Sequence, residues 1–370
     1  MATDLARFRK DLHQIPEPGL AEFNTKEYII NAVKHLGCTI HEVGDTGLVL
    51  YFDNHQEVTI GFRADMDALP LEEATGLDFA SKNSGFMHAC GHDGHMAILL
   101  GLAEYIHLNR TGLDKNVVLV FQPSEEKEAG ANIISGSGLL EHYQVSALYG
   151  LHLWPGLKPG EIYTIKGPMM AAGSETDIII RGKSAHVGSA HEGIDALEIA
   201  CRYLADLYEL EASYPIIHRR LLKFGALNSG SARNIIADTA HLSGTLRSYD
   251  SETHAWFKAH IKQIAQDYAD EFDCTFEISY FDGYEALIND EMLFEAVRQA
   301  VPGIRQLPAP VMQSEDFGIY KKNCPILFAF LGLGNTAPLH HPAFDFEMGL
   351  MDAGLDYFIQ ILGMPSPKNL

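Results

Sequence analysis

Val58-Thr-Ile-Gly-Phe62-Arg63-Ala-Asp65-Met-Asp67 joins a short, unbroken apolar run to three charged residues. An apolar run of strand length without polar alternation belongs to a strand buried on both faces, as in a parallel sheet covered by helices. The same arrangement recurs twice. Val117–Phe121 runs into Gln122-Pro-Ser-Glu125-Glu126, and Ala147–Gly150 runs into Leu151-His152-Leu153-Trp154-Pro155. Helical spacing appears between the strands, over Thr25–Leu36 and over Met96–His107, where Ile98, Leu99, Leu102, Tyr105 and Ile106 share one face. In an open α/β sheet the ligand crevice lies outside the carboxyl ends of the strands. Three strands therefore deliver aspartate, a glutamate pair and histidine to one edge.

The pattern changes in the middle of the chain. Glu175–Ile180 is strand-like, and Ile194–Leu210 is an amphipathic helix through Ile194, Leu197, Cys201, Leu204 and Tyr208. Two strands follow, Leu221–Leu227 and Ala240–Leu246, then a helix marked by Phe257, Ile261, Ile264 and Tyr268, then alternation at Phe276, Ile278 and Tyr280. The order β-α-β-β-α-β is the ferredoxin-like motif. Helix and apolar strand signals return at Met292–Ala300, Ile326–Leu331 and Glu347–Leu362. The expected fold is α/β, a mixed-sheet domain over residues 1–171 and 285–370 interrupted at 172–284 by an α+β insert. A length of 370 residues agrees with two domains.

His88-Ala-Cys90-Gly-His92-Asp93-Gly-His95 gathers three histidines, a cysteine and an aspartate into eight residues. Cys90 and His92 straddle a glycine, so a sharp turn can aim both at one point. Thiolate and neutral imidazole suit a borderline divalent metal such as zinc, cobalt, nickel or manganese. The competing reading is a helix start with solvated histidines. With 27 basic against 49 acidic residues the formal charge is −22. Its field repels nucleic acid and anionic membrane, so neither is expected as a partner. Met1–Arg7 shows no apolar signal core, and no apolar run approaches the roughly 20 residues of a membrane span. Five cysteines without framework spacing point to a reducing cytoplasm.

Taken together, these clusters resemble the aminoacylase and carboxypeptidase family of dinuclear metallohydrolases. The resemblance is strongest to its amidohydrolase branch, which includes hippurate hydrolase, indole-acetyl-amino-acid hydrolases and N-acetyl-diaminopimelate deacetylase. It rests on Asp11-Leu-His-Gln-Ile-Pro16-Glu, Arg63–Pro70, Met87–His95, Gln122–Glu126, Gly150–Leu153, Gly182–His186, Asn234–Asp238, Gly244–Arg247, Ser314–Phe317 and Leu339–Pro342, in one order across nearly the whole chain. It implies a metallopeptidase-like catalytic domain with an inserted lid or dimerisation domain, and hence a homodimer. It also implies two divalent ions per subunit, held by Cys90, His92, Glu126, His152 and His340, with Cys90 bridging where distant relatives place an aspartate. Leu339-His340-His341-Pro342 offers two histidines, and the family pattern Leu-His-x-Pro implies the first.

Glu125 would be the general base, and Asp65 would orient a ligand histidine. Arg63 stands where the wider family has a histidine, a loss that His92 offsets. Asp67 reads as structural, and His88 and His95 as supporting rather than ligating. His186, Asn234 and Arg247 would bind substrate, the first two at the oxyanion or the substrate carboxylate. Two departures concern local geometry: Ala190-His191 for Pro-His, and Lys127-Glu128-Ala129 where relatives often carry glycines.

The implied reaction is metal-dependent hydrolysis of a small N-acyl amino acid to a carboxylate and a free amino acid. Ser231–Arg247 is similar to the bacterial N-acetyl-diaminopimelate deacetylases, a step of lysine biosynthesis. Broad N-acyl amino acid or hippurate hydrolysis is the alternative. A hydrolase using Cys90 as nucleophile leaves Glu125, Glu126 and His152 without a task, and an inactive metal-binding protein has no need of Glu125.

Overall fold

The computed structural model describes residues 4–217 and 219–365, which form two compact units. The first runs to Met169 and resumes over Ile288–Pro310 and from Asp316. Its eight-stranded mixed sheet has the order Thr39–Val43, Gly47–Phe52, Asn116–Gln122, Thr59–Asp65, Val145–Trp154, Ile326–Gly332, Ile162–Thr164, Arg305–Gln306. The four strands from Asn116–Gln122 to Ile326–Gly332 are mutually parallel, and Gly47–Phe52 and Ile162–Thr164 flank them antiparallel. Each central strand is buried along nearly its whole length, as expected for a sheet covered on both sides.

The strands run further than their apolar cores. Arg63 and Asp65 lie inside Thr59–Asp65, and His152 lies inside Val145–Trp154. The pleat fixes the direction of such side chains and puts Arg63 and Asp65, two residues apart, on the same face. The first helix, Leu5–His13, and the hairpin Thr39–Val43 and Gly47–Phe52 went unread in the sequence.

The His92–Asn109 helix starts four residues before its apolar pattern, at His92 itself. Gly91 caps it with φ +85°, a left-handed conformation that glycine adopts without penalty. Every residue from His92 to Ala103 is buried, so this is a core helix rather than a surface one. It packs between the Leu5–His13 and Met351–Leu362 helices. Its close approach depends on Gly94, where a Cβ would lie 2.6 Å from Leu153 Cδ1 and 2.7 Å from Phe346 Cζ.

The second unit spans Met170–Leu287 and Val311–Glu315. Its antiparallel sheet has the order Thr275–Asp282, Ala172–Arg181, Thr239–Ser248, Arg220–Ser229. The Ala196–Ser213 and Ser251–Phe272 helices bury Ile178, Ile180, Tyr203, Leu222, Leu242, Phe257 and Ile261 against the sheet. Element order and strand order are those of a ferredoxin-like unit. The Val311–Glu315 return has no counterpart in the sequence reading; Ala171 N donates to Gln313 O at 2.9 Å and holds it there. Among the described residues, no helix is long and apolar enough to cross a membrane.

Gly94→Ala is expected to cost about 1–3 kcal/mol, the usual range for overpacking, because Leu153 and Phe346 are both buried. Urea denaturation of the metal-free protein measures this. An unchanged midpoint would show that the helix can move away from both neighbours.

Candidate metal centre

The carboxyl ends of the central strands and the start of the His92–Asn109 helix converge in the first unit. Donor atoms of Cys90, His92 and His152 lie within 4.8 Å of one another, and so do those of Cys90, Glu126 and His340. Cys90 belongs to both trios. His92, Glu125 and Glu126 form a further group of the same tightness.

Backbone carbonyls fix the ligand-type histidines. His92 Nδ1 lies 2.8 Å from Asp67 O, and His152 Nδ1 lies 2.7 Å from Leu153 O. A carbonyl only accepts, so each Nδ1 donates to it and each Nε2 is turned towards the donor cluster, the orientation that ligand histidines need. His152 Nε2 faces Cys90 Sγ at 3.5 Å. His92 Nε2 is buried without a hydrogen-bond partner among the described residues. Glu126 Oε1 is 3.1 Å from His340 Nε2 and 3.9 Å from His92 Nε2, and is aligned for a hydrogen bond with neither. Buried polar atoms left in this state call for a missing partner. The donor set of thiol, imidazoles and carboxylate fits a borderline divalent cation.

The electrostatics point the same way. Burial lowers the His92 pKa, but Asp65, Asp67 and Glu126 outweigh it and push it up to about 10. Burial, together with Glu126, Glu125 and Asp65, drives the Cys90 thiol well above its ordinary value. A site that binds a proton this firmly and refuses a thiolate lacks positive charge. His152, by contrast, is held well below its usual value by burial and by His95, and stays a neutral donor.

His340 and His341 part company. His341 Nδ1 accepts from Ala343 N at 3.1 Å, a local turn contact, while His340 reaches Glu126 and Cys90. His340 has φ +62°, and its N donates to Ala89 O at 2.8 Å. A non-glycine residue in that region stores about 1–3 kcal/mol of strain, which commonly marks functional sites.

Asp65 bonds His95, a histidine outside the expected ligand set. Its Oδ1 bonds His95 Nδ1 at 2.6 Å, while His92 Nε2 stays 3.7 Å from Oδ2. His95 Nε2 accepts from Leu153 N at 2.9 Å, so both nitrogens of that ring are used in packing the site. Asp67 accepts the amides of Glu125 and Glu126, both at 3.0 Å, and so shapes the glutamate turn. That turn is flanked by Ser124 at φ +51° and Ala129 at φ +50°. A glycine at position 129 would take this conformation without strain.

The sequence reading missed the buried network around Arg63. Its Nε donates to Gln122 Oε1 at 2.8 Å, Nη1 to Asp65 Oδ2 at 2.6 Å and Nη2 to Asp316 Oδ1 at 2.8 Å. Burial raises Asp316 to about 6 against the pull of Arg63. Asp65 stays well below its usual range, because His92, Arg63 and His95 overcome its burial. The signal was present in Arg63-Ala-Asp65 but had been read only as a missing histidine.

The three substrate-binding candidates lie in the second unit. His186 and Asn234 are exposed neighbours, since Val187 N donates to Asn234 O at 3.1 Å and His186 bridges Ile235. His186 Nδ1 accepts from Gly188 N at 3.0 Å, leaving its Nε2–H as an outward donor. Arg247 Nη1 donates to Met312 O at 2.9 Å and lies 3.2 Å from Ser314 Oγ, and so ties down the Val311–Glu315 return.

Residues 61–363 match the model of peptidase family M20/M25/M40. The chain belongs to this family. It is 33% identical to an N-acetyldiaminopimelate deacetylase of Streptococcus gordonii, over 97% of each chain. It is 35% identical to an N-acetyl-L-cysteine deacetylase of Bacillus subtilis, over 93% of this chain and 83% of that one. A Bacillus subtilis structure described as a dinuclear metal binding peptidase of the M20 family superposes with a TM-score of 0.86 at 30% identity, covering 98% of this chain and 97% of that one.

Arg63→Leu is expected to destabilise the protein by about 3–5 kcal/mol, the cost of stranding buried charges. Arg63→Lys should recover only part of this, since one ammonium cannot reproduce the three-pronged contact. Equal urea midpoints for wild type and the leucine variant would show that Asp65 and Asp316 do not depend on the guanidinium.

Proposed function

We propose that the protein is a metal-dependent amidohydrolase that cleaves N-acyl amino acids, with N-acetyl-diaminopimelate as the first substrate to test. The observation that carries this reading is the pair of donor trios sharing Cys90, with Glu125 alongside. In the proposed centre Cys90 is the shared anion, His92, His152, Glu126 and His340 complete the two ligand sets, and Glu125 is the base. A pair of divalent ions supplies Lewis acidity towards the amide carbonyl and makes water acidic enough to be deprotonated near neutral pH.

Glu125 accepts the proton of the attacking water and delivers it to the leaving nitrogen as the C–N bond breaks. Its backbone is fixed by Asp67, so the base does not depend on the ligand side chains for its place. His186 and Asn234 present N–H donors suited to the oxyanion or the substrate carboxylate, and Arg247 adds positive charge to the same unit. Cys90 as a nucleophile is disfavoured, because its buried thiol is pushed away from the thiolate that attack requires.

The reading extends to a cytoplasmic homodimer paired through the second unit. All five cysteines are free, which suits a reducing compartment. Deacetylation of N-acetyl-L-cysteine, the activity named for the Bacillus subtilis relative, is the second substrate to compare.

Glu125→Gln keeps the shape and removes the proton acceptor. Hydrolysis should fall by about 10²–10⁴-fold, while elemental analysis finds wild-type metal. A glutamine variant that retains most of its turnover would remove Glu125 from the mechanism. Chelation should abolish activity, and added zinc, manganese, cobalt or nickel should restore it; full activity in verified metal-free protein would overturn the metallohydrolase reading. If His186 serves the partner's site, mixed dimers of His186→Ala and Glu125→Gln subunits should recover activity that neither parent shows. Verified mixed dimers as inactive as the parents would place His186 with its own subunit.

A further inference from the structure

Arg9 lies on the first helix, outside the proposed ligand sets, yet its side chain is 1% exposed. Burial of a guanidinium is costly unless all its sides are occupied, and here they are. Nε donates to Asp93 Oδ2 at 3.1 Å, Nη1 to Phe346 O at 2.8 Å and Nη2 to Asp345 Oδ1 at 2.6 Å. Its flat face lies over the Phe346 ring, with Cζ 3.6 Å from the ring centroid.

These partners belong to two segments far apart in sequence. Asp93 follows His92 in the first turn of its helix. Asp345 and Phe346 end the segment that carries His340. The Phe346 ring in turn closes on Gly94, and Phe344 on Gly91, on either side of His92. A second strut runs parallel to the first. His13 Nδ1 meets Asp93 Oδ2 at 2.8 Å, and His13 Nε2 lies 3.3 Å from Glu73 Oε1. Next to Glu73, Ala74 N holds Pro342 O at 2.8 Å. Both struts thus span from the residue beside His92 to the segment of His340.

We propose that Arg9 is a positioning residue of the metal centre: it holds the His340 segment in register with the His92 turn, and so sets the affinity of the half-site closed by His340. The need for such a brace follows from His340 itself. Its backbone is strained and held beside Cys90 through the bond from its N to Ala89 O, and its side chain is 53% exposed, so packing does not fix the ring. His92 and His152 are buried and tied to carbonyls. Loss of the brace therefore falls on one half-site more than the other. The inference rests on the metallohydrolase reading above.

The test is a calorimetric titration with zinc of chelator-stripped Arg9→Gln, Asp345→Ala and wild-type proteins, with circular dichroism and the metal-free melting temperature recorded for each. Asp345 is 35% exposed, so its variant folds even if Arg9→Gln does not. The expected result is two zinc ions per wild-type chain. In each variant one ion binds at near wild-type affinity and the other about 10–100-fold more weakly, the usual loss for an outer-shell partner. The metal-free melting temperature of Asp345→Ala should fall less than that of Arg9→Gln, because Asp93 and Phe346 O still hold the guanidinium. Arg9→Lys should restore the weak site only in part, because an ammonium cannot bond Asp93, Asp345 and Phe346 O in one plane. Both ions bound at wild-type affinity in folded Asp345→Ala would overturn the proposal, as would equal weakening of both ions. A wild-type chain that binds no zinc would instead refute the metal reading on which the proposal stands.

Discussion

Asp65, Asp67, Glu125 and Glu126 bring their negative charge into one largely buried region at the ends of three adjacent strands. Charge taken out of water must be matched, and the surroundings are arranged around that demand. Asp65 is answered by Arg63 and His95, and Asp67 by two backbone amides. Glu126 Oε1 has no well-aligned hydrogen bond, and the carboxylate raises His92 while suppressing the thiolate of Cys90. The imbalance is therefore local. It sits at the common corner of the two donor trios, where cations would remove it.

The central strands and the insert were legible because continuous apolar runs and helical periodicity depend on neighbours a few residues away. Cys90 and His92 stood out by the density of thiol and imidazole over residues 88–95, whereas Glu126, His152 and His340 were singled out as ligand candidates by the family resemblance. Arg63, Arg9 and His13 were not. A buried arginine has the same local signature as an exposed one, and only its partners, Asp316 for Arg63 and Asp345 for Arg9, separate them. Those partners lie hundreds of residues away. The partner of Asp65 was hidden in the same way. The motif marked the residue, but whether its carboxylate meets His92 or His95 depends on the pleat and on the helix phase.

Strain and rigidity are unevenly distributed in the site. Ser124, Ala129 and His340 adopt left-handed conformations without being glycine, and each flanks or carries a polar group of the centre. Gly91 and Gly94 instead allow the helix to approach Leu153 and the Phe344–Phe346 segment. The first set costs stability, and the second permits the dense packing that offsets it.

The two donor trios also differ in when they can exist. Cys90, His92 and His152 all lie within the first 152 residues, whereas Cys90, Glu126 and His340 await the last tenth of the chain. During synthesis, which proceeds from the N-terminus at about 5–20 residues per second, one donor trio is complete in sequence many seconds before the other. The Ile326–Gly332 strand, which pairs with Val145–Trp154, appears only after the whole insert has been made. A sheet closed by such distant pairing forms late. One donor trio is thus complete in the growing chain before the other, but the strand that carries His152 gains its Ile326–Gly332 neighbour only when nearly all of the chain has been made.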